Sequence, residues 1–147
     1  LPFPPELIPK APSLPEHTQQ LTDELSAMLH EAEGDVTLST VDGEFGAHKC
    51  ILKARSPVFK AMFDSSMKEA ATLRVSVEDT NLATMKRFLH FLYCAELPSE
   101  MVDEEVSVQQ WEGITALAKK YEVQSLVDAC IVRFKLWTAC ENVFEVL

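Results

Sequence analysis

The stretch from Phe45 to Phe63, FGAHKCILKARSPVFKAMF, holds two short apolar runs separated by Arg55-Ser56-Pro57. Serine followed by proline is typical of a helix start, since serine caps free main-chain N–H groups and proline fits the first turn. The sequence therefore predicts a short helix that begins near His48 and a second helix after the proline. The apolar residues on one side of the second helix are Val58, Phe59, Met62 and Phe63. We expect the two helices to meet at a corner and to pack on different faces.

The sequence on either side of this corner predicts a small sheet and further helices. Before it, DVTLSTVDGEF alternates apolar and polar residues and turns at Asp42-Gly43, which is typical of a β-hairpin. After it, Leu73 to Val77 alternates as a third strand. Apolar residues at helical spacing predict helices over about 18–34, 81–93, 108–121 and 123–136. We therefore expect an α+β fold, a mostly helical cluster flanked by a small β-sheet.

Composition and charge exclude several classes of protein. The 147 residues suit one ordinary domain, and the net charge of −10 comes with no basic run that would bind nucleic acid. No apolar stretch approaches the roughly 20 residues of a membrane helix, and Leu1 to Lys10 does not resemble a signal peptide. We expect a soluble intracellular domain, in the nucleus or the cytoplasm or both, that contacts neither nucleic acid nor membrane. Since the chain stops within a predicted helix, we also expect it to be part of a longer protein.

No pattern of reactive side chains predicts an enzyme, a cofactor or a metal site. The cysteines at 50, 94, 130 and 140 form no C-x-x-C pair, and the histidines at 17, 30, 48 and 90 are scattered. The four glycines form no phosphate-binding loop. Cys94 and Cys130 fall on apolar helical faces, so we expect them to pack as small hydrophobic residues.

Proline dominates the start of the chain. Six of the eight prolines lie in the first fifteen residues, LPFPPELIPKAPSLP, which is typical of an extended and semi-rigid segment. We expect residues 1–16 to be a proline-rich linker. The alternative is an arm that docks on a partner, because Phe3, Leu7, Ile8 and Leu14 are more apolar than a spacer requires.

Three segments in this order, GDVTLSTVDGEFGAHKCILKARSPVFKAMF, MKEAATLRVSV and FLHFLYCAEL, resemble the BTB/POZ domain. LTDELSAML and ARSPVFKAMF are most similar to the speckle-type MATH-BTB adaptors, in which a prolyl linker follows a substrate-binding MATH domain. The resemblance implies a BTB/POZ fold over residues 17–136, with an N-terminal dimerisation helix. ACENVFEVL resembles the start of a helical extension of the 3-box or BACK type, so we assign residues 137–147 to it.

The resemblance also implies a homodimer. The first predicted helix carries an apolar stripe, which by its pattern alone fits the helix's own domain equally well. The apolar residues that the resemblance assigns to the dimer interface are Leu21, Leu25, Met28, Leu29 and Ile51. By the same resemblance, Asp35 and Lys49 form a charged pair near the two-fold axis. The alternative for each of these residues is an ordinary role within one protomer.

A second candidate surface contains Met67-Lys68-Glu69. It matches the hydrophobic-x-Glu motif by which many members of the resembled family bind cullin-3. An exposed apolar side chain fills a pocket of a partner, while a carboxylate two residues on caps a helix or pairs with a base. The triplet alone fits a solvated loop, and its position between helix and strand favours cullin-3 binding. We expect Phe63 and Tyr121 to border the same surface.

These expectations combine into a non-catalytic adaptor. A homodimer binds cullin-3 of a RING E3 ubiquitin ligase, while a domain outside this chain holds the substrate. The chemistry then belongs to the recruited ligase, and dimerisation raises the effective concentration of two linked substrate-binding arms. The main alternative is the dimerisation module of a transcriptional repressor that binds a corepressor peptide. A purely structural oligomer and an enzyme are less favoured alternatives.

Overall fold

The computed structural model of the protein describes residues 14–30, 34–65, 71–97 and 107–146. The helices in these residues are α1 (Leu14–His30), α2 (Lys49–Arg55), α3 (Pro57–Asp64), α4 (Leu82–Cys94), α5 (Val108–Lys120) and α6 (Gln124–Val146). The strands are β1 (Val36–Thr40), β2 (Glu44–Ala47) and β3 (Arg74–Val77). The predicted α+β class, a mostly helical cluster with a small sheet, is confirmed.

The sheet has the strand order β2-β1-β3. β1 and β2 form the predicted hairpin, with Ser39 opposite Glu44. The Asp42 carboxylate in the turn accepts a hydrogen bond of 2.7 Å from the main-chain N–H of Leu82, so the hairpin is tied to the start of α4. β3 pairs with β1 in parallel, with Thr37 opposite Arg74. Parallel neighbours require a crossover, which α2 and α3 contribute.

The predicted corner between α2 and α3 is confirmed at Ser56. Its backbone is extended, with φ of −137°, and its side chain accepts a hydrogen bond of 3.2 Å from the Phe59 N–H. Pro57 occupies the first turn of α3. The Ser56 hydroxyl also donates to the main-chain carbonyl of Tyr121 at 2.6 Å, and Ser56 is 1% exposed. The corner therefore lies in the core and joins α3 to the end of α5.

The core surrounds α4, whose side chains are buried on several sides. The largest fully buried side chains of the core include Trp111, Phe59, Phe88, Leu38, Leu52 and Met85. Cys94 and Cys130 are free and buried, as the sequence predicts. Because α1, α2 and α5 all pack against α4, this helix fixes the positions of the surfaces considered below.

Two helix boundaries differ from the sequence prediction. α1 begins at Leu14, ahead of Thr18, and Pro15 is compatible with its first turn. α6 continues to Val146, so the predicted break near Leu136 is wrong. No glycine or proline occurs between Gln124 and Val146, and the chain therefore has no strong signal that ends the helix. In the part of the chain that the structure describes, no helix is both long and apolar enough to cross a membrane.

Candidate functional site

One edge of α1 belongs to the core of its own protomer. α1 packs against α4, and Thr22 and Leu29 are 9% and 3% exposed. The Cys94 thiol donates a weak hydrogen bond of 3.6 Å to the main-chain carbonyl of Thr22. Burial raises the pKa of this thiol. Leu29, predicted at the dimer interface, is therefore already covered by its own domain.

The neighbouring edge of α1 is open to solvent. Leu21 is 55% exposed, while Leu25 and Met28 are half-buried and touch the core. These three residues follow the i, i+4, i+7 spacing of one helix face. We call them the α1 edge. The predicted apolar stripe is thus divided between an inner side at Leu29 and an outer side at Leu21.

Asp35 and Lys49 lie together at the start of α2 within one protomer. A charged pair of their side chains near a two-fold axis stays a prediction. The Asp35 carboxylate accepts a hydrogen bond of 2.7 Å from the main-chain N–H of Lys49. A carboxylate here satisfies one of the free donors at the helix start and interacts favourably with the helix dipole. The Lys49 ammonium lies 5.9 Å from the centroid of the Phe63 ring. Ile51 is half-buried against the core.

Tyr93 supports the approach to α2, a role that the sequence analysis missed. Its hydroxyl accepts a hydrogen bond of 2.7 Å from the His48 main-chain N–H and lies 2.7 Å from Nδ1 of the same residue. Burial raises the pKa of Tyr93 to about 12. The two residues are 45 positions apart, so no local pattern indicates the contact.

The predicted cullin-binding residues fall into two groups. Met67 and Glu69 lie outside the described residues. Phe63 and Tyr121 are in the core, with 5% and 2% of their surface exposed. Both rings stack on Phe59, with centroid distances of 6.1 and 4.3 Å. Phe63 and Tyr121 therefore lie beneath the surface and support it. Their direct contact with a partner stays a prediction.

A charged cluster at the end of α3 precedes the segment that contains Met67 and Glu69. Asp64 forms ion pairs with Lys53 of α2 and, at 2.7 Å, with Lys60 of α3. Hydrogen bonds from Lys53 and Lys60 lower the pKa of Asp64 to about 2. The sequence indicates the Lys60 pair through its i, i+4 spacing. The Lys53 pair depends on how α2 and α3 fold together.

The described residues expose both apolar and charged side chains. Among them, no group of three or more His, Cys, Asp or Glu side chains is placed to hold a metal ion. Large apolar side chains that are exposed include Leu21 on the α1 edge, and elsewhere Val41, Val108, Ile131 and Val132. Beside α2, a group of lysines surrounds Asp64. Protein–protein interfaces usually combine an apolar centre with a polar rim.

The fold and these surfaces define a protein–protein interaction module. The BTB/POZ domain model matches residues 26–135, so the chain belongs to the BTB/POZ domain family. A BTB/POZ domain-containing protein of Arabidopsis thaliana is 34% identical over 107 residues, which are 72% of this chain and 31% of the relative. TD and POZ domain-containing protein 3 of Mus musculus is 36% identical over 90 residues, which are 60% of this chain and 25% of the relative. The chain therefore spans about a third or less of these curated relatives.

Solved structures with the same fold include the BTB domain of zebrafish PATZ1, at a TM-score of 0.64 and 18% identity. That match covers 86% of this chain and 98% of the solved one. The BTB (Tramtrack and Bric a brac) domain of human gigaxonin gives a TM-score of 0.62 at 19% identity, over 83% of this chain and 94% of the other. At these identities the likeness shows the fold alone.

Proposed function

We propose that this domain is a homodimeric adaptor that recruits cullin-3 of a RING E3 ubiquitin ligase, while a domain outside this chain holds the substrate. Membership of the BTB/POZ family supports self-association, because domains of this family generally self-associate and bind protein partners. The single observation that carries the proposal is the α1 edge, where Leu21 is 55% exposed beside the half-buried Leu25 and Met28.

The α1 edge suits a two-fold contact because symmetry uses each apolar side chain twice. Complete burial of one such side chain contributes about 1.5–3 kcal/mol, and the α1 edge is already partly covered. Burial of the remaining exposed surface on two copies of the α1 edge therefore offsets little more than the low end of the free-energy cost of association, which is about 4–15 kcal/mol. The half-buried Ile51 is the further apolar residue that we assign to the interface. Because the gain from burial barely exceeds the cost of association, one charge placed in this contact should be enough to prevent dimerisation.

The cullin-3 part of the proposal rests on Met67-Lys68-Glu69 and on the surface before it. The triplet matches the hydrophobic-x-Glu motif of the family and lies between α3 and β3. Upstream of it, Asp64 is held by Lys53 and Lys60, and Phe63 is fixed in the core. These contacts give α3 a firm end directly ahead of the triplet in the sequence.

The substrate part of the proposal draws on relatives. The mouse relative is named for a TD and a POZ domain, and the chain covers a quarter of its length. A second domain in the same protein is what an adaptor requires. Two copies of that domain, joined by the dimer, raise the effective concentration of substrate without a new contact.

Calorimetric titration of the chain with the N-terminal region of cullin-3 tests the proposal. Met67→Ala and Glu69→Ala should each weaken binding by about ten-fold, the effect of losing an interface residue worth more than 1 kcal/mol. Lys68→Ala, between them, is the matched control and should bind as the unchanged chain does. Unchanged affinity in both test variants would remove Met67 and Glu69 from the proposed binding site, and no binding by the unchanged chain would remove cullin-3 from the proposal. A stable dimer that ignores cullin-3 and binds a corepressor peptide would favour the transcriptional alternative.

A further inference from the structure

Three lysines gather on one face of a chain whose net charge is −10. Lys49 and Lys53 lie one turn apart on α2, and Lys60 lies on α3. The last two meet at Asp64, while the Lys49 ammonium lies over the ring of Phe63, the residue before Asp64. We call these three residues the lysine cluster. Its charge opposes that of the protein as a whole.

The side chains of the lysine cluster are held in place. Lys53 is 31% exposed at its side chain and pairs with Asp64, which also receives a hydrogen bond of 2.7 Å from Lys60. Long lysine side chains normally lose conformational entropy when they bind. In the lysine cluster the contacts with Asp64 and Phe63 already restrict the side chains. The lysines therefore lose less conformational entropy when a partner binds.

The lysine cluster retains hydrogen-bond donors for a partner. Each ammonium carries three N–H donors and no acceptor. Asp64 takes one donor from Lys53 and one from Lys60, and its own charge offsets only one of the three lysines. The Asp35 carboxylate also lies in this region and accepts a hydrogen bond from the main-chain N–H of Lys49. The three ammonium groups therefore keep N–H donors that Asp64 does not use, and their charge exceeds that of Asp64.

We propose that the lysine cluster binds a carboxylate-rich segment of a partner protein. A peptide is favoured over a membrane because lipid recognition uses clusters of about 4–8 basic residues. The net charge of −10 also repels an extended anionic surface or a nucleic acid over a Debye length of about 8 Å. A short acidic peptide reaches the lysine cluster without lying across the rest of the acidic protein. The inference holds whether or not the partner is cullin-3.

Fluorescence polarisation with a labelled oligoglutamate peptide at low salt tests this inference. The chain should bind this peptide and not an oligoglutamine peptide of the same length. Lys60→Ala, at an exposed side chain that leaves the core intact, should weaken binding, and Lys53→Ala/Lys60→Ala should weaken it by about three- to ten-fold. Physiological salt should weaken it in the unchanged chain as well.

The matched control is Lys119→Ala/Lys135→Ala, which removes the same charge from exposed positions on α5 and α6. Binding should be unchanged in this control. An equal loss in both double variants would show general electrostatic attraction and would overturn the inference. Failure of the unchanged chain to bind oligoglutamate would also overturn it, as would binding to phosphatidylserine vesicles in place of the peptide.

Discussion

The hydroxyl of Ser56 donates a hydrogen bond of 2.6 Å to the main-chain carbonyl of Tyr121, 65 residues later in the chain. The same oxygen accepts from the N–H of Phe59, so a single side chain both starts α3 and anchors the end of α5. Tyr121 in turn stacks on Phe59, with ring centroids 4.3 Å apart. The corner, the α5 terminus and the aromatic core therefore depend on one another.

We expect Ser56→Ala to lower the free energy of unfolding by about 1–3 kcal/mol, because it removes a helix cap and leaves the buried Tyr121 carbonyl without its partner. Urea unfolding followed by circular dichroism measures the change. Ser125→Ala, at an exposed position in α6, is the control and should stay within about 0.5 kcal/mol of the unchanged chain. A loss no larger than in the control would contradict the anchoring role of Ser56.

We expect Leu21→Asp to convert the proposed homodimer into a monomer, because it places two like charges in an apolar contact. Leu21 is 55% exposed, so the variant should keep the helical circular dichroism spectrum of the folded domain, whereas Leu25→Asp would also disturb the core that Leu25 touches. Light scattering coupled to gel filtration gives the mass. Val132→Asp, at a side chain that is 58% exposed on α6, is the control and should remain dimeric. A dimer mass for Leu21→Asp would refute the α1 edge as the interface.

Asp64 should make stability depend on pH in acid. Its pKa lies at about 2 in the folded protein, against an ordinary value of 3.8. A lowered pKa stabilises the fold above the ordinary value, and this contribution is lost as the pH falls from about 4 towards 2. We therefore expect Asp64→Asn to be less stable than the unchanged chain at neutral pH, with a difference that shrinks across this range. Urea unfolding at a series of pH values measures it, and a constant difference would contradict the assignment.

Both tyrosines should resist ionisation in the folded protein. Burial raises the pKa of Tyr93 and of Tyr121 to about 12, against an ordinary value of 10.0. These raised values stabilise the fold below pH 10, and the contribution is lost as the pH rises from about 10 to 12. The ultraviolet absorbance of tyrosinate should therefore be low at pH 10 in the native protein and about half-maximal in urea. A native midpoint near 10 would contradict the burial of these phenols.

Local signals in the sequence predict most of the fold. Ser56-Pro57 predicts the corner because the serine cap and the proline both act within the first turn of α3. Asp42-Gly43 predicts the hairpin because the two residues form the turn between the paired strands. The far end of α6 was predicted wrongly, because no residue there specifies where a helix ends. The parallel pairing of β1 with β3 has no local signal at all, since it depends on the path of α2 and α3.

The sequence predicted less of the candidate site than of the fold. Helical spacing places Leu21 and Leu29 on one stripe, yet they lie about 80° apart around the helix axis, and α4 covers only the second. The sequence does not distinguish an aromatic residue at the surface from one in the core. The burial of Phe63 and Tyr121 is evident only from their stacking on Phe59 in the structure. The family resemblance implied a charged pair of Asp35 and Lys49. In the structure the Asp35 carboxylate bonds the main-chain N–H of Lys49, because a helix start offers free donors there.

The parallel pairing of β1 with β3 also bears on synthesis of the protein. The hairpin of β1 and β2 closes over a few residues and is available early, whereas β3 joins it only after α2, α3 and the residues up to Val77 have left the ribosome. Until then one edge of β1 is unpaired, and the nascent domain presents a strand edge to chaperones and to neighbouring chains.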